Sequence, residues 1–327
     1  MNMIKKLLKR KIVWICLVLL VFIYGNNSSL FAHRPDGSPL LLAHRGLAQT
    51  FSMENITNDT CTAERIMKPE HPYLENTIPS MDAAFKAGAD IVEFDVQWTK
   101  DNNFVVFHDW TLECRTNGKG VTRDYTTKEL QALDIGYGYT ADGGKTFPFR
   151  GKGINLMPTL DEVLNHFPDR SFLIHIKSND PNEGIQMAAY LQKLPASRLD
   201  QLTVYGGDNP VAEIKERIPS LRTMSKASLK KDLLTYMAIG WTGYVPASLK
   251  HAQLHIPDQI APWLWGWPNR FLNRMDEMDT RVIIVGGDGG GFSSGFDSPE
   301  DINRLPNNYS GGIWTNRIDK IAPLYKQ

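Results

Sequence analysis

From residue 40 onward, short apolar runs alternate with helix-patterned stretches, and no other feature restricts the fold of this chain as strongly. Leu40-Leu41-Leu42-Ala43-His44 and Ile91-Val92-Glu93-Phe94-Asp95-Val96 are the near-continuous apolar runs that parallel strands carry when both faces are covered. Further strands are expected at 172–177, 202–205, 221–224, 243–245, 281–285 and 312–315. Helices are expected at 78–87, 159–167, 184–194, 211–217, 229–239 and 301–305, with Gly88 as a stop for the first. Eight strands mostly separated by helices in about 285 residues predict an α/β chain folded as a (β/α)8 TIM-like barrel rather than an open doubly wound sheet. No linker interrupts residues 33–327, which read as one domain.

One connection departs from the alternation. Phe104-Val105-Val106-Phe107-His108 follows the second strand after only Lys100-Asp101-Asn102-Asn103, too few residues for a parallel crossover but enough for a hairpin. A turn centred on Asp101-Asn102 makes paired positions sum to about 203, so Asp95 faces His108. The hairpin then extends strand 2 above the C-terminal mouth of the barrel, where barrel chemistry is concentrated.

Residues 1–32 read as an address. Lys5, Lys6, Lys9, Arg10 and Lys11 precede thirteen unbroken apolar residues, Ile12 to Tyr24. That run suits a secretory signal better than a membrane span of about 20 residues. Leu30-Phe31-Ala32 offers a small-residue cleavage site, and an uncleaved signal anchor is the alternative. Export to a periplasmic or extracellular space, or attachment to a membrane through this segment, follows in either case. Cys61 and Cys114 then form an even pair that an oxidising compartment would allow to bond; two buried free thiols are the other reading. Lys plus Arg equals Asp plus Glu at 36 each, so no basic excess points to nucleic acid.

The chemistry-bearing residues fall at strand ends. Glu93 and Asp95 lie two apart on a strand and share its inward face, as do His175 and Lys177 on theirs. His44 and Arg45 end the first strand. Two carboxylates aimed into a barrel require compensation from a divalent metal or from cations. Two carboxylates, two or three histidines, an Arg and a Lys suit a phosphate ester: cations neutralise its oxygens and paired imidazoles supply acid and base.

On these residues the sequence resembles the glycerophosphodiester phosphodiesterases, a family of PLC-like phosphodiesterase barrels. The match runs through His44-Arg45-Gly46, Glu75-Asn76-Thr77, Glu93-Phe94-Asp95-Val96, Thr99-Lys100-Asp101 and His108-Asp109. It continues through Arg115 to Gly120, Pro158 to Leu164, and Gly312 to Arg317. The resemblance implies metal-dependent release of an alcohol and glycerol 3-phosphate from a small-molecule glycerophosphodiester. It assigns His44 and His108 as the acid/base pair, Glu93 and Asp95 as metal ligands, Arg45 and Lys177 as phosphate holders, and Glu75 as support. It also implies attack by the neighbouring glycerol hydroxyl, then hydrolysis of a cyclic phosphate.

Two departures stand out. His175-Ile176-Lys177 occupies the place of the family's Glu-x-Lys, so either His175 is the third metal ligand and takes a softer ion, or another oxygen takes over, or the site is weakened. Mg²⁺ or Ca²⁺ is the expected ion, with a transition metal the alternative that an imidazole suits. Val285-Gly286-Gly287-Asp288 replaces a family Trp-Thr strand end, and the glycines to Gly291 read as a rim loop. The long segment 47–74 carries Cys61, so a Cys61–Cys114 bond would tether it over the mouth. Trp263, Trp265 and Trp267 would share one face in an extended segment, as an aromatic wall or lipid patch; ordinary packing beneath a loop is the plainer reading. Two rivals to the soluble-diester reading are a lysophospholipase D-like enzyme on the same barrel and a non-catalytic phosphodiester-binding barrel.

Overall fold

Strands form where alternate residues can serve two apolar environments, the barrel interior and the helix layer outside it. The computed structural model describes residues 2–33, 37–57, 60–288 and 294–326. Its strands are β1 (Leu41–His44), β2 (Ile91–Trp98), β3 (Phe104–Val106), β4 (Ser171–Ile176), β5 (Leu202–Gly206), β6 (Arg222–Ser225), β7 (Gln253–Pro257), β8 (Arg281–Val285) and β9 (Gly312–Thr315). Eight run parallel in the order β6-β5-β4-β2-β1-β9-β8-β7, and β3 pairs antiparallel with β2. A parallel bridge between Thr223 and Ala252 brings β6 beside the start of β7, so the ring is nearly closed.

Helices are α1 (Asn2–Asn27), α2 (Ile78–Ala87), α3 (Thr127–Gln131), α4 (Leu160–His166), α5 (Pro181–Leu191), α6 (Ala196–Leu199), α7 (Asp208–Arg217), α8 (Lys226–Ile239), α9 (Asn269–Asp276), α10 (Pro299–Ile302) and α11 (Ile318–Ile321). The boundaries of α2 are written in its sequence. Thr77 and Ser80 form a reciprocal capping box, and Gly88 ends the helix with φ 113°.

Inside the barrel, Leu42, Ile91, Leu173, Ile283 and Trp314 build an apolar floor. Val92, Phe94, Val96, Ile174 and Ile176 point outward into the helix layer. The next inward positions along β1, β2 and β4 are His44, Glu93, Asp95 and His175, so the period-two pattern lifts ionisable groups onto the mouth above that floor. A second apolar cluster, including Ala63, Ile66, Leu112, Leu130, Tyr139 and Phe149, seats the 47–74 segment against the chain that follows the hairpin.

Three details differ from the sequence reading. Residues 243–245 are not a strand: Gly243 has φ 93° and closes a 3-10 turn, Gly240–Thr242. The seventh barrel strand is Gln253–Pro257 instead. Its inward residues, Gln253 and His255, are buried and in hydrogen-bond contact with each other at 2.9 Å, so no apolar run marks it. The hairpin register is one step shorter than expected, with Val96 opposite Val106 and Trp98 opposite Phe104. The turn closes between Thr99 and Asn103, with Asn102 left-handed at φ 58°. Phe107 therefore faces Asp95, its amide donating to the Asp95 carbonyl at 3.0 Å, and His108 comes one residue later. Gly289 to Gly291 of the glycine-rich loop lie outside the described residues.

Candidate active site

The mouth is organised around Asp95. Arg45 Nε stands 3.2 Å from its Oδ2, His175 Nδ1 2.8 Å from its Oδ1, and Lys177 Nζ 3.7 Å from Oδ1. The Asn76 side chain donates to Oδ2 at 3.0 Å and accepts the Asp95 backbone N–H at 3.1 Å. Burial alone would raise the Asp95 pKa, yet Arg45, Lys177 and these contacts hold it well below the usual carboxylate range.

Glu93 titrates in the opposite direction. It is fully buried, and burial together with the Asp95 charge pushes its pKa up to about 8. Two carboxylates this close cannot both be comfortably ionised without added positive charge. Tyr205 donates to Glu93 Oε1 at 2.6 Å, and its ring stacks on His175 with centroids 4.1 Å apart. One ligand atom each from Glu93, Asp95 and His175 lies within 4.8 Å of the others. Two carboxylates and an imidazole at that spacing fit a divalent cation.

The two imidazoles at the rim are wired differently. His44 Nδ1 lies 2.6 Å from Asn316 Oδ1. The Asn316 amide is oriented by Asp297, whose Oδ2 accepts from Nδ2 at 2.8 Å and whose Oδ1 accepts the Asn316 backbone N–H at 2.6 Å. Because Nδ2 must face that carboxylate, Oδ1 faces His44, and His44 must donate from Nδ1. This leaves Nε2 unprotonated, 3.8 Å from Glu93 Oε2. Burial and the Arg45 charge lower the His44 pKa to about 3. His108 Nδ1 instead meets a carboxylate, Asp109 Oδ1, at 2.6 Å. Burial and Arg45 lower its pKa too, while Asp95 and Asp109 oppose the shift.

A buried arginine supports this second imidazole. Arg115 pairs with Asp109 and Glu75, and donates to Thr62 Oγ1 at 2.5 Å and from Nε to the Tyr139 hydroxyl at 3.2 Å. Glu75 also holds Arg45 at 2.9 Å, so one carboxylate links the Arg45 and Arg115 guanidiniums. Arg45 itself sits at φ 57°, followed by Gly46, where a Cβ would strike the Ser80 backbone at 2.8 Å. That close approach requires glycine and sets the angle at which Arg45 enters the mouth.

Cys61 and Cys114 are joined by a disulfide, Cα atoms 5.5 Å apart, closing 53 residues of chain. It ties the segment carrying Thr62 to the one carrying Arg115. Replacing both cysteines with serine should cost about 4 kcal/mol on loop-entropy grounds. Denaturant unfolding of the parent and the double variant measures this, and an unchanged midpoint would show that the bond contributes no stability.

The predicted residues His44, Arg45, Glu75, Glu93, Asp95, His108, His175 and Lys177 thus share one connected network. Asn76, Asp109, Arg115, Tyr205, Asp297 and Asn316 join it without having been assigned roles. Tyr205 was accessible from strand parity, since it is inward by the same alternation as its β4 neighbour His175. The tryptophans do not form a shared wall. Trp265 Nε1 donates to the Met237 carbonyl at 2.8 Å, Trp267 packs on Phe271 and Tyr309, and Trp263 is exposed. A 3-10 turn over Ala261–Trp263 breaks the extended geometry that alignment would need. Beside His44 and Arg45 lies a solvent-open cleft of about 100 Å³, with Phe51, Met53 and Asp297 among its lining.

A parallel barrel whose mouth sets imidazoles and cations over a carboxylate pair is the frame in which the relatives of this chain are placed. The chain belongs to the glycerophosphoryl diester phosphodiesterase family, whose model matches residues 44–236. It is similar to the glycerophosphodiester phosphodiesterase of Caldanaerobacter subterraneus subsp. tengcongensis, with 43% identity over 103 residues, 32% of this chain and 39% of that protein. Similarity to a Bacillus subtilis glycerophosphodiester phosphodiesterase is 36% over 126 residues, 36% of this chain and 41% of that one. The matched segments span less than half of those relatives. An Oleispira antarctica phosphodiesterase, solved in complex with the product sn-glycerol-3-phosphate, has the same fold: TM-score 0.56 at 18% identity, covering 89% of this chain and 98% of that chain.

Proposed function

We propose that this chain hydrolyses glycerophosphodiesters to glycerol 3-phosphate and an alcohol. The observation that carries the reading is the pair of imidazoles, one held at Nδ1 by an amide oxygen and the other by a carboxylate, at a mouth already supplied with Arg45 and Lys177. Those two cations hold the phosphoryl oxygens. His44, obliged to donate from Nδ1, presents a bare Nε2 that takes the proton of the adjacent glycerol hydroxyl. That oxygen bonds to phosphorus as the bond to the leaving alcohol breaks, and His108, supported as an imidazolium by Asp109, protonates the departing oxygen. In the second half the roles reverse: His108 takes a proton from water, which opens the cyclic phosphate, and His44 returns its proton to the glycerol oxygen. A divalent cation held by Glu93, Asp95 and His175 would supply charge neutralisation at the phosphoryl group.

The experiment strips divalent ions from the full-length chain with a chelator, then follows glycerol 3-phosphate release from glycerophosphocholine as Mg²⁺, Ca²⁺, Mn²⁺ or Zn²⁺ is restored singly. Recovery is expected, and best with Mn²⁺ or Zn²⁺ because the donor set includes an imidazole. Folded protein that releases nothing with any ion would overturn the reading and leave a lipid phosphodiester substrate or a binding barrel. Phe51 and Met53 at the cleft favour an alcohol with an apolar portion, so a micellar lysophospholipid is the comparison substrate.

A further inference from the structure

Residues 26–33 are built into the outer wall of the barrel. Arg274, on α9, is only 6% exposed, and its guanidinium has four partners: the Tyr236 hydroxyl, the Gly240 carbonyl, the Asn27 Oδ1 and the Asn26 carbonyl, at 2.8–3.1 Å. Two of the four come from the end of α1. The Asn26 and Asn27 side chains donate to the Trp241 carbonyl at 3.1 and 2.8 Å. Ser29 Oγ donates to the Gly266 carbonyl and accepts the N–H of Asn269, the first residue of α9. Asn273 donates to the His33 carbonyl at 2.7 Å. Gly243 fits the same contact: a Cβ there would lie 3.2 Å from the Asn26 amide. Cleavage after Ala32 would strip a buried guanidinium of half its partners and leave the start of α9 uncapped.

Beyond this docked end, α1 is apolar all round and uncovered. Ile12 to Leu20, Val21, Phe22 and Tyr24 include its most exposed side chains, preceded by five cations and no acid. A helix made for a protein partner carries an apolar stripe opposite a polar face; this one has no polar face between Ile12 and Tyr24. Thirteen apolar residues extend about 20 Å, more than one leaflet of a roughly 30 Å hydrocarbon core and less than both. Among the described residues no helix is long and apolar enough to cross a membrane.

The surface around the docking point continues the same chemistry. Leu234 and Ile239 on α8, Tyr244 just after it, and Trp263 are 56%, 41%, 50% and 73% exposed. Trp263 lies in the connection between β7 and α9, two residues before Trp265, whose indole donates to the Met237 carbonyl of α8. Lys230 and Lys231 are exposed one turn before Leu234. Because α8 follows β6 and runs back antiparallel to it, its end, with the Trp241 carbonyl that holds Asn26 and Asn27, lies toward the opposite end of the barrel from the mouth.

We propose that α1 is retained on the mature chain and, with the Leu234–Ile239–Tyr244–Trp263 patch, seats the barrel on an anionic lipid bilayer surface while the mouth stays open to water. Aromatic side chains then sit at headgroup level, lysines meet anionic lipid, and the apolar run of α1 is immersed. The inference uses none of the catalytic assignments.

Intact mass of the chain recovered from an exporting host tests retention. A full-length chain is expected, and a chain beginning at His33 overturns the proposal. Flotation of the full-length protein with phosphatidylcholine vesicles, with and without phosphatidylglycerol, tests the surface. Binding is expected to strengthen with phosphatidylglycerol and weaken with salt. The triple variant Ile239→Ser, Tyr244→Ser, Trp263→Ser changes only exposed side chains, and should need about tenfold more lipid for half-binding. Equal binding of variant and parent, or no flotation of the parent, rules the surface out. Glycerophosphocholine hydrolysis measured on the same samples separates these outcomes from failure of the catalytic reading, since the triple variant should retain the parental rate.

Discussion

Replacing His108 with alanine should lower choline release from glycerophosphocholine by about 10²–10⁴-fold, and should leave first-turnover nitrophenolate release from a nitrophenyl glycerophosphodiester nearly unaffected. The asymmetry follows from the partners of the two imidazoles. Asp109 stabilises positive charge on His108, which suits it to deliver a proton to the departing oxygen. A nitrophenolate leaves without that proton, so the missing acid ceases to matter in the first half, while opening of the cyclic phosphate, where His108 is the base, is slowed for both substrates. His44→Ala should depress both substrates together, because the attacking hydroxyl must be deprotonated whichever alcohol leaves. Asn316 fixes His44 in the form that can accept that proton, and Asp297 fixes Asn316. Equal losses for both substrates in His108→Ala would assign it another role, and the reverse pattern would exchange the two histidines. Single-turnover rates of alcohol release from both substrates, with circular dichroism to confirm folding, decide between these outcomes.

What the sequence discloses about such a site depends on the range over which each part is determined. Glu93, Asp95, His175 and Lys177 were legible because strand parity is local: two residues apart means the same face, and the neighbouring outward residues are unmistakably apolar. β7 was obscured by the same rule. Its inward side chains are a Gln and a His that satisfy each other, so burial leaves no apolar signature, and the strand lies ten residues beyond the 243–245 run that looks like one. The hairpin was legible as a hairpin, but its register turned on whether Asn102 would adopt a left-handed conformation, which shifts every pairing by one. His108 still reaches the network, because Gln97 holds the His108 and Asp109 carbonyls at 3.3 and 3.2 Å. Asn316 and Asp297 stand more than 250 residues from His44, and only closure of β9 against β1 brings them together. No local pattern encodes that contact. The tryptophan run was misleading for a different reason: alternation implies a shared face only in a strand, and Pro262 belongs to a 3-10 turn.

His175 is the one nitrogen donor in the Glu93–Asp95–His175 set, and His175→Glu should therefore change which ion restores activity. The imidazole lies 2.8 Å from Asp95 and 3.9 Å from Glu93, and is braced by Tyr205, which also holds Glu93. Nitrogen in the donor set favours Mn²⁺ or Zn²⁺, while a third carboxylate in its place offers the oxygen-only environment that Ca²⁺ and Mg²⁺ prefer. The ratio of half-saturating Ca²⁺ to Mn²⁺ should fall by at least about tenfold in the variant. The same substitution adds a third acid to a buried pair already too crowded to ionise fully, and removes the ring that packs on Tyr205. Without metal, the variant should therefore melt below the parent, and added Ca²⁺ should recover more of that loss than it gains for the parent. The thermal result is what makes the test specific. A residue that merely lined the mouth would change the rate without linking ion preference to stability, so unchanged ion preference together with an unchanged metal-dependent melting shift would remove His175 from the ligand set and leave Glu93 and Asp95 to bind the cation with other oxygens.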